Sequence, residues 1–404
     1  MPWLVWIKRV VFLVVLIGLV SAANKATDRW RSETSALNAS VLRLREQAAS
    51  DPDPAVAADL KREADLRAAS VPSLANVRWD RVGCASLLYA FGLLPPGIIL
   101  HQCLNSFAVH CSRRRALAAQ LLGHVGKYIP GKAMVVFLRV DAVLPNPDRS
   151  QKTAAGVTPN DVGESEAEVV ASHPPRSMKP RPIGRVVTCV FFETLLMMGV
   201  GGALAGILLW NSDLPAWIRG GAVLVAIGSA IPVCPPVMRR VIEFMAARRR
   251  LKAASKAPAD PSSDVADSQR DSDTSEAAGA SAITWKLLGG CYLISLISWT
   301  LIGLSFAVLV TAIPSFDPLP SMSELAPMAT AAISLGMVIG FASLLPGGAG
   351  VREYVTLLVL VPVIGDTHAL LAVIAARLMF IVVETLLAGF STLYLHSLEP
   401  FPQG

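Results

Sequence analysis

Eight ionisable side chains lie where the surrounding sequence is apolar: Lys127, Lys132, Arg139, Glu193, Arg352, Glu353, Arg377 and Glu384. Placing such a group in a bilayer costs roughly 2.5–3.5 kcal/mol on insertion scales, so each needs a partner or a ligand. Mutual pairing that locks helices together would account for any one of them. It accounts less well for the set, because the charges gather beside two breaks, Pro130-Gly131 and Pro346-Gly347-Gly348-Ala349-Gly350. Gly131, Gly347, Gly348 and Gly350 let backbone approach a ligand closely. The N–H groups that open the following half-helix present the positive end of its dipole. Lys132 follows the first break and Arg352 the second, with Lys127 and Arg139 flanking the first. The chemistry these residues suit is the holding of an anion, a phosphate group above all. Glu193, Glu353, Arg377 and Glu384 form a further set of intramembrane polar residues. Arg377 and Glu384 share a helix face but stand about 10 Å apart along the axis, so each needs a partner elsewhere.

Other chemistries find little support. No nucleophile–base pair or carboxylate dyad is evident, so no catalytic residue is assigned and the chain is not expected to be an enzyme. The six cysteines and six histidines are scattered without ligand spacing, so neither a metal site nor a cofactor is expected. Gly126-Lys127-Tyr128-Ile129-Pro130-Gly131-Lys132 fits the pattern of a phosphate-binding loop, but Ala133 stands where a metal-binding hydroxyl belongs and no strand precedes it. The net charge of +6 comes from basic residues that flank apolar runs, which excludes nucleic acid as the expected partner.

These residues must be positioned by membrane helices. The chain is 53% hydrophobic and only 16% charged, where a soluble domain carries about a quarter charged residues. Apolar runs at 3–22, 82–111, 184–210, 218–238, 284–313, 325–363 and 367–397 are mostly long enough to span a bilayer. The predicted fold is an all-α integral membrane protein of about seven membrane segments, two of them re-entrant at the proline–glycine breaks. Residues 1–23 read as a membrane anchor or a signal peptide, Lys8-Arg9 preceding an apolar stretch and Ser21-Ala22-Ala23. Residues 24–80 read as an extracytoplasmic helical hairpin broken at Asp51-Pro52-Asp53-Pro54, with Asp53 capping its second helix. Residues 81–252 form a first membrane half containing a polar loop, 145–182. Residues 253–281 are a disordered cytoplasmic linker, and 282–404 a second membrane half. The cluster from Arg239 to Lys256 marks a cytoplasmic end.

The two halves echo each other. Each has a proline–glycine break, then a helix carrying an arginine and Glu-Thr-Leu-Leu: Arg185 with Glu193–Leu196, and Arg377 with Glu384–Leu387. The longer interval in the first copy is taken up by the loop 145–182. The expected topology makes the copies an inverted repeat, which in transporters points to a site near the midplane.

At these positions the chain resembles the transmembrane-region family of lysylphosphatidylglycerol synthases, a flippase-like membrane domain. Leu345-Pro346-Gly347-Gly348-Ala349-Gly350-Val351-Arg352-Glu353 resembles the family's Pro-Gly-Gly-x-Gly-x-Arg-Glu stretch. Gly126–Lys132 resembles its earlier motif, and the Arg377-to-Glu384 helix also matches, for a cover of roughly 82–397. The resemblance implies a stand-alone member that lacks the soluble synthase domain and makes no lysyl-lipid itself. It implies a transporter moving an anionic phospholipid or polyprenyl-phosphate-linked lipid between leaflets of a bacterial inner or plasma membrane. With no ATPase motif, movement would be downhill or coupled to an ion or the membrane potential. The alternative is an accessory protein that presents lipid to a lipid- or glycan-modifying partner enzyme.

Overall fold

A computed structural model describes residues 2–71, 73–128, 133–144, 182–240, 243–244, 247, 284–315, 317–343, 345 and 348–397. Pro130, Gly131, Lys132, Pro346 and Gly347 lie outside the described residues, as do the linker 253–281 and the loop 145–182 apart from Pro182. The described chain is helical: α1 (Pro2–Ser50), α2 (Pro54–Ser70), α3 (Trp79–Gly92), α4 (Pro95–Ser106), α5 (Arg113–Gly126), α6 (Ala133–Val143), α7 (Ile183–Trp210), α8 (Ala216–Ala230), α9 (Trp285–Val310), α10 (Met322–Ala342), α11 (Val351–Ile364) and α12 (Asp366–Ser397). Six stretches among the described residues are long and apolar enough to cross a membrane: 79–106, α7, 216–233, α9, α10 and α12.

Helix α1 runs without a break from the apolar N-terminal stretch into the polar segment and turns back at Asp51–Asp53. The Asp53 carboxylate accepts from the Ala55 N–H at 2.9 Å, with Pro54 in the first turn. Val41, Ala48 and Ala64 are buried in the resulting hairpin. Lys25 and Arg29 of α1 reach Asp366 at the start of α12, at 3.1 and 3.4 Å.

Contacts along the bundle define its two ends. Helices α3 and α4 run antiparallel to α9. The Arg78 N–H donates to the Ala312 carbonyl, Ser298 to Gly92, and the Cys291 thiol to Gln102. His368, at the start of α12, bonds the Val310 carbonyl. One end therefore holds Arg78, Ala312 and Asp366, and the other holds Gln102 and Cys291. Arg185 donates to the Phe107 carbonyl, which sets the start of α7 at the second end. So α7 and α12, the two Glu-Thr-Leu-Leu helices, run in opposite directions.

Each is preceded by a helical hairpin from its own end. Helices α5 and α6 rise from the Phe107 end and return there, with Arg115 bonded to the Ala142 carbonyl at the base. Helices α10 and α11 enter from the Asp366 end and return to it. The inverted relationship expected from sequence is thus present in the chain's own contacts. The hairpins differ in depth. Helices α5 and α6 have 14 and 11 residues, whereas α10 has 21 and is long enough to cross unaided.

Small residues close the second hairpin. A Cβ on Gly336 would meet the Thr356 hydroxyl at 2.5 Å, and one on Gly340 would meet the Arg352 Cβ at 3.2 Å. The Gly202-x-x-x-Gly206 pair does the same service between α7 and α8, against Ser229 and Ala226. Both motifs are packing seams. Apolar side chains fill two cores, one around Phe306, Leu360 and Phe380, the other around Leu104, Phe192 and Trp299.

Candidate functional site

The site is built on one face of α12. Arg377, Phe380 and Glu384 recur there at three- and four-residue intervals, so their side chains stack along the axis. The tips of the two hairpins meet this face at different heights.

The first tip engages Glu384, which is fully buried. Lys127 and the Tyr89 hydroxyl both donate to Glu384 Oε1, and the Tyr128 hydroxyl donates to Oε2 at 2.7 Å. Tyr89 comes from α3, whereas Lys127 and Tyr128 follow α5. A carboxylate out of water needs its charge and its lone pairs satisfied, and these three donors do both.

The second tip engages Arg377. Its Nη1 donates to Glu353 Oε1 at 2.7 Å, and Glu353 Oε2 accepts the Gly350 N–H at 2.7 Å. Glu353 therefore caps α11. This changes the sequence-based expectation that the N–H groups opening this half-helix await a ligand, since the first of them is held by the chain's own carboxylate. Gly348 and Gly350 adopt φ of +64° and +84°, left-handed values that side chains rarely tolerate.

Arg352 joins the second pair only loosely, through a long ion pair with Glu353. It is 8% exposed. Its guanidinium lies over the Phe380 ring at 5.6 Å, and its Nε is 3.5 Å from Glu353 Oε1, outside hydrogen-bonding geometry. Among the described residues it makes no side-chain hydrogen bond. It lines a small cleft, with room for about one water molecule, together with Phe306, Ile333, Glu353, Val373 and Phe380.

Aromatic rings join the two tips. Phe380 stacks on Tyr89 with centroids 4.0 Å apart, and the Arg377 guanidinium lies 5.9 Å from the Tyr128 ring centroid. Lys127, Arg352 and Arg377 face Glu353 and Glu384 across this junction, three cations against two carboxylates. That excess suits an anion.

Glu193 and Arg139 lie elsewhere. Arg139 Nη1 donates to Glu193 Oε2 at 2.7 Å, and Gln120 donates to Oε1 at 3.1 Å, all three being buried. This cluster joins α5, α6 and α7 within the first half. The sequence echo between Glu193 and Glu384 thus does not extend to their partners. Arg185, the counterpart of Arg377, bonds a loop carbonyl near the bundle end.

Sequence reasoning missed Tyr89, Phe380 and Gln120 as parts of these clusters. Nothing marks Tyr89 or Phe380 in a long apolar run. Gln120, His124 and Lys127 do share one face of α5, a polar stripe that could have been read.

No curated protein matches the chain. The model of the lysylphosphatidylglycerol synthase TM region matches residues 167–388, which takes in α7 to most of α12 and the second break. It is narrower than the expected cover, since the first hairpin with Lys127 and Arg139 precedes it. The match spans more than half of the chain and agrees with its apolar helices, so the protein is a multi-pass membrane protein that belongs to the lysylphosphatidylglycerol synthase TM region family.

Proposed function

We propose that the chain binds an anionic lipid headgroup where the hairpin tips meet on α12 and carries that lipid between leaflets. One observation supports this most: Arg352, nine-tenths buried beside a pocket, with no hydrogen-bond acceptor among the described residues. Glu353 stands 3.5 Å from the Arg352 Nε and leaves the other donors of this buried guanidinium for a ligand. Its planar fork fits two phosphate oxygens. The inverted hairpins around it match the architecture of alternating access.

The basic residues orient the chain in this reading. Arg113, Arg114 and Arg115 open α5 at the Phe107 end, Lys286 opens α9 there, and Arg239 and Arg240 follow α8 to the same end. That end is cytoplasmic by the positive-inside rule, and the α1–α2 hairpin is extracytoplasmic. The membrane is the inner or plasma membrane.

The test is reconstitution with fluorescently labelled phosphatidylglycerol and a membrane-impermeant quencher. Quenching of inner-leaflet probe, beyond that in protein-free vesicles, is expected. Saturable binding without movement would instead favour the accessory role, in which lipid is presented to a partner enzyme.

A further inference from the structure

Two guanidinium groups converge on a single carboxylate oxygen. Arg377 Nη1 donates to Glu353 Oε1 at 2.7 Å, and Arg352 Nε stands 3.5 Å from the same atom. The other oxygen of Glu353 is taken by the Gly350 N–H. Each guanidinium presents several N–H donors in a planar fork. Among the described residues the two arginines spend one hydrogen bond on Glu353, and most of their donors are left for another anion. Arg352 and Glu353 come from α11 and Arg377 from α12, so the second half supplies the whole group.

The cleft bounded by Arg352 and Glu353 has room for about one water molecule. A phosphate group is larger, so a headgroup reaches Arg352 only if something vacates the space beside it. Apart from Arg352, the side chains lining the cleft are uncharged except for Glu353, which bears the same sign of charge as the headgroup.

We propose that Arg377 is a second headgroup-binding residue and that Glu353 is a resident anion, displaced when the lipid phosphate takes the place of its Oε1 between the two arginines. The phosphate then bridges the forks, one unesterified oxygen to each guanidinium. The terminal torsion of a glutamate is soft, so Oε1 turns aside while Oε2 stays on Gly350 and keeps α11 capped. The displaced carboxylate remains close to the phosphate, and the like charges repel. Glu353 thereby holds the affinity down. A carrier needs this, since a conducting site must attract its cargo enough to be entered and weakly enough to be left.

The inference rests on the headgroup reading for its ligand, and the two fail differently. The full chain in detergent micelles is titrated with fluorescently labelled phosphatidylglycerol, with labelled phosphatidylcholine as the control and melting temperature alongside. Glu353→Gln is expected to bind phosphatidylglycerol severalfold more tightly than the wild type. Arg377→Lys and Arg377→Gln should each bind it more weakly. The double variant Glu353→Gln/Arg377→Gln should stay weak, because a headgroup contact is missing. A purely structural Glu353–Arg377 pair gives the opposite pattern: weaker binding in Glu353→Gln, and recovery in the double variant. Either of those results, or an unchanged affinity in Glu353→Gln, overturns the inference and leaves the headgroup reading standing. Should Glu353→Gln fail to fold, Arg377→Lys decides, since it keeps the charge that pairs with Glu353 and loses the fork. Weaker binding at the wild-type melting temperature then supports the inference, and unchanged binding overturns it. No preference for phosphatidylglycerol over phosphatidylcholine in the wild type and in Glu353→Gln removes the headgroup reading and the inference together.

Discussion

Lys127 donates to Glu384 across 257 residues of sequence, and the bond ties the first hairpin to the last helix. The acceptor is fully buried and the lysine side chain is 28% exposed. The bond is the direct ionic link between the two halves among the described residues, so it is where their relative position is set.

The two partners are not equivalent. Lys127→Gln leaves a buried carboxylate without its cation, for which about 3–5 kcal/mol of destabilisation is expected. Glu384→Gln removes the buried charge and leaves Lys127 able to reach water, so its effect should be smaller. The double variant should be less destabilised than Lys127→Gln alone. Melting temperatures of the four proteins in one detergent check this, and strict additivity would contradict the pairing.

Gly348 has a structural duty. A Cβ there would stand 2.9 Å from the Gly340 Cα and require a φ of +64°. Gly348→Val should therefore lower the yield of folded protein before any effect on lipid can be read. Gly348→Val protein that melts like the wild type would refute the close packing of α10 on α11.

Much of this architecture is legible in the sequence. Apolar length identifies the spanning helices, and Asp53-Pro54 marks the start of α2. The paired proline–glycine breaks and Glu-Thr-Leu-Leu helices reveal the inverted hairpins. Partner choice is not legible, because it depends on rotation and height. Arg377 and Glu384 both lacked a partner on their own helix, yet one pairs within its half and the other across to the first. Glu193 and Glu384 share a motif, but α6 brings Arg139 beside the first, and α3 brings Tyr89 beside the second. At Gly350 one backbone N–H is taken up locally, because Glu353, three residues on, folds back to cap it.

Topology follows from the two ends of the bundle. Reporters placed near residues 60 and 316 should report the outer side, and those near 160, 265 and 402 the inner side. Opposite sides for 60 and 316 would break the shared end that joins α1, α9 and α12. Residue 160 on the outer side would make α5 and α6 a full crossing.

The central claim is that Arg352 holds an anionic headgroup, and one comparison tests it directly. Affinity for labelled phosphatidylglycerol is measured for the wild type, Arg352→Lys and Arg352→Gln, with melting temperature alongside. Arg352→Lys keeps the charge and loses the planar fork, so binding should weaken by roughly tenfold, about 1.4 kcal/mol. Arg352→Gln should weaken it further. Among the described residues the guanidinium makes a long ion pair with Glu353 and a contact with the Phe380 ring but no hydrogen bond, so the Gln variant should melt near the wild-type temperature. Lipid binding lost with stability kept is the predicted result. Unchanged affinity in both variants, or a large fall in melting temperature on Arg352→Gln, would contradict the account and make Arg352 part of the scaffold.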